Sequence, residues 1–468
     1  MIRATRPLLS SAVAGLLALP LFWPSAHAAE AAPRAGDLLS LEKAYDLALA
    51  SDQSIRIAFY EVRKAKLLPW SAVARLGPQL SGSASYNRRE QSTTATVFAT
   101  DTSVGQSALT PAVRSVEQTS RTRSGSGALG ITFEQPLIDF TVFPAYRLGR
   151  LSTVVARLEH QFTIRGTLFG VATAYYEVLK QMRLVDVNRE ALRLASGQLD
   201  FAQKRADVGE VTRADVLRAQ VVVETARRTL VESENLLEFD RNTLGNILNL
   251  PPNAAYRIVE PADFPTALPP FDDLLGRAYA HREDLRVKEL AIEQDIARRG
   301  EVIGQYGPRV TTQFDSQLGH TSGSSAQSNH DWQAAVAVSV PFFTGGQREI
   351  DLRTANEQIE QTKLAREQAA KTVESDVKLA WLTVRSLTQT LKALHAQVVA
   401  AEQGYHDLET QYRAGTSTSV DVLSALNDLN TARKDLAVQT YDYQVALRNL
   451  EQVSGVFQEP RVQRSKTK

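Results

Sequence analysis

Val208-Gly209-Glu210-Val211-Thr212-Arg213-Ala214-Asp215-Val216-Leu217 has a second version 206 positions on, within Tyr412-Arg413-Ala414-Gly415-Thr416-Ser417-Thr418-Ser419-Val420-Asp421-Val422-Leu423. Gly209 pairs with Gly415, Thr212 with Thr418 and Asp215 with Asp421 at that offset. In each version a glycine stands where an outgoing helix must stop, since glycine accepts the left-handed conformation of a C-terminal cap. Thr-x-x-Asp then restarts the chain. The threonine is an N-cap, and an acid three residues on complements the positive end of the new helix. Each stretch therefore reads as the tip of a helical hairpin.

Outward from the tips, both arms of both hairpins keep a heptad. Ile164, Val171, Val178, Val185, Leu192 and Leu199 precede the first tip, and Val216, Val223, Leu230, Leu237 and Leu244 follow it. The second hairpin repeats the pattern with Ala370, Val377, Val384, Leu391, Val398 and Tyr405, then Val422, Leu429, Leu436, Tyr443 and Leu450. Small residues three positions on, Ala219, Ala226, Ala425 and Ala432, favour closely packed coiled coils. The outgoing helix from Ala145 to Asp207 can reach roughly 90 Å at ~1.5 Å per residue, far more than a globular domain needs.

The duplication extends upstream at a different offset. Ala48, Ala50, Arg56, Gly77 and Pro78 fall on Ala278, Ala280, Arg286, Gly307 and Pro308, 230 positions apart. The two offsets differ by 24 (230 less 206), so the first copy holds extra residues between Pro78 and Ala174. Their expected place is a solvated loop, about Glu90 to Ser124, rich in Ser, Thr and Gly. The copies span 38–250 and 272–456, and a Pro-rich linker, 251–271, joins them. Each copy opens with a helical segment, about Leu41 to Val73 and Asp273 to Ile303, ending before a Gly-Pro pair. Four strands of about ten residues are expected between the helices. Leu80, Gly82, Ala84 and Tyr86, then Leu129, Ile131 and Phe133, then Val310, Thr312, Phe314, Ser316 and Leu318, then Trp332, Ala334, Val336, Val338 and Val340 occupy alternate positions. That length suits a tilted strand crossing a bilayer.

Composition narrows the class. Lys plus Arg number 53 against 52 for Asp plus Glu, so the chain does not advertise itself to nucleic acid. Cysteine is absent, which excludes disulfides, thiolate chemistry and an anchor on an N-terminal cysteine; the protein is not expected to be a lipoprotein. Past residue 30 no apolar run approaches the ~20 residues of a spanning helix. Residues 1–28 read as a cleaved signal peptide: Arg3 and Arg6, an apolar run from Leu8 to Trp23, then Ala26-His27-Ala28. The basic tail, 457–468, is expected to be disordered. Four strands cannot close a membrane barrel, which needs about eight or more, so several chains must contribute to one. The helical hairpins then hang from one rim and extend the tube.

This layout, with Gln135-Pro136-Leu137 and Val340-Pro341-Phe342-Phe343-Thr344-Gly345-Gly346 after the second strands and the repeated tip, closely resembles the TolC-type outer-membrane factors, the outer-membrane efflux protein family. The resemblance covers about Leu38 to Val456. It implies an α+β membrane protein of the outer membrane. Three copies would form a twelve-stranded β-barrel and a twelve-helix coiled-coil tunnel in the periplasm. It also implies a periplasmic adaptor (membrane fusion) protein and an inner-membrane pump of the RND or ABC type as partners in efflux or type I secretion. Asp215, Tyr412 and Asp421 match the pattern of the periplasmic gate, and Ser417 and Ser424 stand where some members place an arginine and a second acid. Gly209, Thr212, Gly415 and Thr418 mark the adaptor-docking edge. A soluble periplasmic coiled-coil adaptor or scaffold is the alternative reading, and helix capping is the plain reading of both aspartates.

Nothing calls for a cofactor, and no H-E-x-x-H or G-x-S-x-G argues for an enzyme. Gly125-Ser126-Gly127-Ala128-Leu129-Gly130 satisfies G-x-G-x-x-G but is expected in a Ser/Thr-rich loop that enters a strand instead of opening a helix. His320, His330 and Asp331 are expected in the second outer loop, a polar one, and read as solvated instead of metal-binding. Tyr175 and Trp381 stand at equivalent places and read as helix-packing residues.

Overall fold

The computed structural model describes residues 38–100, 113–251, 256–261, 268–322, 327–455 and 457. The signal peptide and the tail beyond Phe457 lie outside them. The first copy runs β1 (Leu38–Leu39), α1 (Leu41–Ser51), α2 (Gln53–Ala65), α3 (Leu68–Ala74), β2 (Gln79–Thr100), β3 (Val113–Ile138), α4 (Val142–Asp207) and α5 (Arg213–Ile247). The second runs β4 (Arg257–Ile258), α6 (Phe271–His281), α7 (Glu283–Gly304), β5 (Arg309–Ser322), β6 (Gln327–Ser339), α8 (Gln347–Arg413) and α9 (Ser419–Val453). The offsets read from sequence recur in the boundaries. Leu41–Ser51 and Phe271–His281 are 230 apart, and Arg213–Ile247 and Ser419–Val453 are 206 apart.

The long helices α4 and α8 have 66 and 67 residues. At ~1.5 Å per residue each spans about 100 Å. Their heptad positions are the seams: Val171, Val178, Val185, Val377 and Val384 are buried, as are Val422 and Leu429 on α9. In the half toward the tips α5 pairs with α4 and α9 with α8; toward the sheet α2, α3 and α7 take those places. Polar ties fix α7 between the long helices. Gln294 Nε2 donates to Ser152 Oγ on α4 (3.0 Å), and Thr362 Oγ1 on α8 donates to Asp295 Oδ2 (2.7 Å).

Between these halves sits a belt where the copies interlock. β1 and β4 pair in parallel, and an apolar cluster around Leu168, Tyr175, Tyr176, Leu244 and Leu248 packs beneath them. The Tyr175 hydroxyl donates to the carbonyls of Leu39 (2.9 Å) and Val259 (2.5 Å). In the second copy Trp381 Nε1 donates to the Pro269 carbonyl (3.1 Å). Leu39 and Pro269 are themselves equivalent at the offset of 230, so both aromatics pin the backbone two residues ahead of a helix. They do more than pack.

The sheet is antiparallel throughout, in the order β2-β3-β5-β6, so the middle pair joins the two copies and the outer edges of β2 and β6 are unpaired within the described residues. Pro136, which has no N–H to donate, lies at a register irregularity between Pro136 and Ile138 on β3.

Four expectations need correction. The strands are 22, 26, 14 and 13 residues long instead of about ten. The extra residues of the first copy do not form a loop from Glu90 to Ser124: Glu90–Thr100 pairs with Val113–Arg123 in a two-stranded ribbon, and the G-x-G-x-x-G stretch is inside β3. Composition reported solvation there, whereas Thr, Val and alternation set the backbone state. The opening helical segments are broken, because Asp52 ends α1 and caps α2 through Ile55 N (3.0 Å), Pro69 begins α3, and Arg282 separates α6 from α7. Phe457, placed in the tail, is buried edge-on against Tyr45 (6.1 Å between centroids).

Candidate functional site

The hairpin tips are built twice by the same local rules. Gly209 (φ 80°) and Gly415 (φ 79°) take the left-handed conformation. Beyond them, Glu210 N donates to the Arg205 carbonyl and Thr416 N to the Gln411 carbonyl, both at 2.9 Å, closing Schellman-type caps. Thr212 and Thr418 then form reciprocal capping boxes with Asp215 and Asp421. Each aspartate N–H donates to the threonine hydroxyl oxygen (3.3 Å), and each aspartate Oδ2 accepts from the threonine N–H, at 3.1 Å in the first tip and 3.0 Å in the second. Capping is thus a role of both acids.

Here the copies diverge. Asp215 has a second tie, because Ser419 Oγ on the other hairpin donates to its Oδ1 at 2.7 Å. Asp421 also accepts from Ser417 Oγ (3.3 Å) on Oδ2, leaving Oδ1 without a hydrogen-bond partner among the described residues. Hydrogen bonds from Thr212 and then Ser419 hold the Asp215 carboxyl below the usual range, and those from Thr418 do the same for Asp421.

Tyr412 is buried, with its ring edge-on to Phe201 at 5.5 Å and the Arg205 guanidinium 5.1 Å from its centroid. That burial raises its hydroxyl above the ordinary value. Arg205 also donates to the Tyr412 carbonyl (3.0 Å) and to Glu210 Oε2 (2.9 Å), tying the end of α4 to the end of α8. Two turns up, Gln198 Nε2 donates to the Tyr405 hydroxyl (3.0 Å).

The tips therefore bring Asp215, Tyr412, Ser417 and Asp421 into one polar end of the molecule, while Ser424 is exposed. Gly209, Thr212, Gly415 and Thr418 are exposed as well, beside the exposed apolar Val208, Leu217 and Val420. Sequence reading missed Phe201, Arg205 and Ser419. Arg205 reads there as a cation complementing a helix C-terminus, and Ser419 as an ordinary first-turn residue. Neither carries a signal of reaching the other hairpin. In the sheet, His320 and His330 are on one face and Asp331 on the other, and among the described residues no three His, Cys, Asp or Glu cluster to hold a metal.

Known proteins share this construction. The chain matches the family described as Outer membrane efflux protein over residues 44–250 and 274–456. It is 25% identical over 347 residues to the outer membrane protein TolC of Vibrio cholerae serotype O1, covering 70% of this chain and 77% of that one. It is 24% identical over 352 residues to the outer membrane protein TolC of Escherichia coli K12, covering 72% and 71%. Among solved structures, the outer-membrane channel OprN superposes with a TM-score of 0.70 at 18% identity, covering 90% of this chain and 91% of that one. With both copies matched and the fold shared along nearly the whole length, this chain belongs to the outer membrane efflux protein family, channels of the outer membrane with a helical tunnel in the periplasm.

Proposed function

We propose that three copies of the mature chain, released from residues 1–28, close their four-stranded sheets into one twelve-stranded barrel. Its helices continue as a periplasmic tunnel that passively conducts cargo in efflux or type I secretion. The open sheet carries this reading. Among the described residues its two outer edges are unpaired and one face is apolar, an arrangement that water does not tolerate and that further copies would complete in a bilayer. A soluble coiled-coil scaffold has no use for such a sheet. Native mass spectrometry of detergent-extracted protein should give a dominant trimer; a monomer or dimer overturns the assembly.

The hairpin tips are the proposed periplasmic gate and the edge that meets a periplasmic adaptor, which couples the tunnel to an inner-membrane RND or ABC pump. Asp421 supports the gate because it is exposed and one carboxylate oxygen remains uncommitted by the cap. Three such carboxylates at a constriction would favour cations and bind multivalent ones. In a planar bilayer, Asp421→Asn should leave the trimer intact and reduce both cation selectivity and block by divalent or trivalent cations added on the periplasmic side. A destabilised trimer with unchanged selectivity and block means that Asp421 is a cap alone.

A further inference from the structure

The register of the sheet sorts its side chains onto two faces. One carries Leu80, Ile131, Phe314, Trp332, Val336 and Val338, exposed on the isolated chain; the other carries Ser81, Thr132, Asp315 and Gln333. The apolar face is the lipid-facing one in a membrane barrel. The helices α4 and α8 follow the Ile138 and Ser339 ends of the strands and lie in the periplasm, so the opposite end of the sheet is at the cell surface.

Toward that end the lipid-facing side changes character within a few rows. The row Ala84, Leu129, Leu318, His330 is followed by Tyr86, Gly127, His320, Ser328, and then by Arg88, Gly125, Ser322, where pairing between β3 and β5 stops. Above it the β2–β3 ribbon continues alone, with Glu90 opposite Arg123 and Ser92 opposite Arg121 on the same side. Three arginines thus meet one carboxylate at the ribbon's root. Arg123 pairs with Glu90 (3.1 Å), and Arg88 and Arg121 have no ion-pair partner among the described residues. Below them, Tyr86, Leu129, Leu318 and His320 surround a shallow depression of about 600 Å³ over Gly127. Gly125 also lacks a side chain where one is excluded: a Cβ there would lie 2.8 Å from Ser322 Oγ and 3.1 Å from the Tyr86 hydroxyl.

We propose that this depression and its basic rim form a seat for the phosphorylated glycolipid of the outer leaflet, lipopolysaccharide. An acyl chain would lie on Leu129 and Leu318, and the lipid A phosphates would meet Arg88, Arg121 and Arg123. The seat continues the apolar band outward to the depth where acyl chains give way to anionic head groups, and its charge is complementary to them. Guanidinium groups bind phosphate oxygens in pairs, which a solvated polar rim does not achieve. The depression is centred on β3 and β5 and reaches β2 at Tyr86 and β6 at Ser328, so one chain's sheet supplies its whole floor and barrel closure, which uses the outer edges of β2 and β6, adds no residue that this seat needs.

Native mass spectrometry of the detergent-extracted full chain, titrated with diphosphorylated lipid A, dephosphorylated lipid A and phosphatidylethanolamine, tests the seat. The diphosphorylated form should be retained at least about fivefold more than either alternative. The triple change Arg88→Gln, Arg121→Gln, Arg123→Gln should bring the three lipids level, while Arg89→Gln, whose residue is on the opposite face, should keep the preference. Equal retention by the unchanged protein, an undiminished preference in the triple variant, or an equal loss in Arg89→Gln overturns the proposal. Should the triple variant not fold, salt decides: a preference in the unchanged protein that survives raising salt to about 1 M, where surface charge is screened within ~3 Å, also overturns it. None of these readings depends on the channel's oligomeric state.

Discussion

Asp215 shows how one carboxylate serves two levels of structure. Oδ2 completes the capping box of α5, and Oδ1 accepts from Ser419 across the gap between hairpins. Thr212→Ala removes the hydroxyl's half of that box, leaving Oδ2 only the backbone N–H of residue 212, and should cost about 1 kcal/mol locally. Faster amide exchange in the first turn of α5 measures it. Ser419→Ala removes the bond to Oδ1, so the Asp215 carboxyl should titrate closer to its ordinary value while the capping box persists, which carboxylate NMR of a labelled sample reads directly. Both aspartates titrate below the ordinary carboxylate range in the folded tip. Their stabilisation is therefore complete above that range and is lost as pH falls through the folded values, below about pH 4. Amide exchange of the tips should accelerate over that interval and stay flat from pH 5 to 8 once intrinsic rates are divided out.

At the scale of elements, one side chain from α4 ties β1 to β4 across the belt. Tyr175 is fully buried and its hydroxyl serves two carbonyls, and burial pushes its pKa up to about 12. Tyr175→Phe keeps the packing and deletes the hydroxyl. Because the Leu39 carbonyl still accepts from Val259 N (3.2 Å), the expected loss is about 1 kcal/mol, seen as earlier proteolysis around the linker in a denaturant series. Trp381→Phe, which frees the Pro269 carbonyl instead, should loosen the start of α6 and leave β1 and β4 paired. The β2–β3 ribbon is the element most unlike its counterpart. Beyond Gly125 it is paired only with itself, and it can stay a ribbon because each strand satisfies the other's backbone without a core.

For the whole molecule, the inequality of the two hairpins becomes an inequality of exposure. β2 and β3 carry on past the end of the β3–β5 pairing, whereas β5 and β6 end near it, so the first hairpin reaches further from the bilayer. Protease added to intact cells should cut between Thr100 and Val113 and spare the connection between Ser322 and Gln327. The reverse preference would overturn this difference in reach.

The sequence by itself determined whatever depends on local and periodic chemistry: the duplication and its offsets, the glycine stops and threonine starts of both tips, the heptads that build α4, α5, α8 and α9, and the alternation that separates a lipid face from a polar one. Those features need only neighbours a few residues away, so a linear reading captures them. Tertiary structure decided what depends on residues brought together from beyond their own helix or strand. Ser419 reaches Asp215, Arg205 reaches Tyr412, and Tyr175 and Trp381 fasten backbone far from their own helices, although their residue types read equally well as surface, cap and packing positions. The ribbon beyond Glu90 belongs here as well. Its polar composition suits water in a loop or in a strand, and only the pairing of Glu90–Thr100 with Val113–Arg123 chooses between them, because a paired backbone is satisfied whatever the solvation of its side chains.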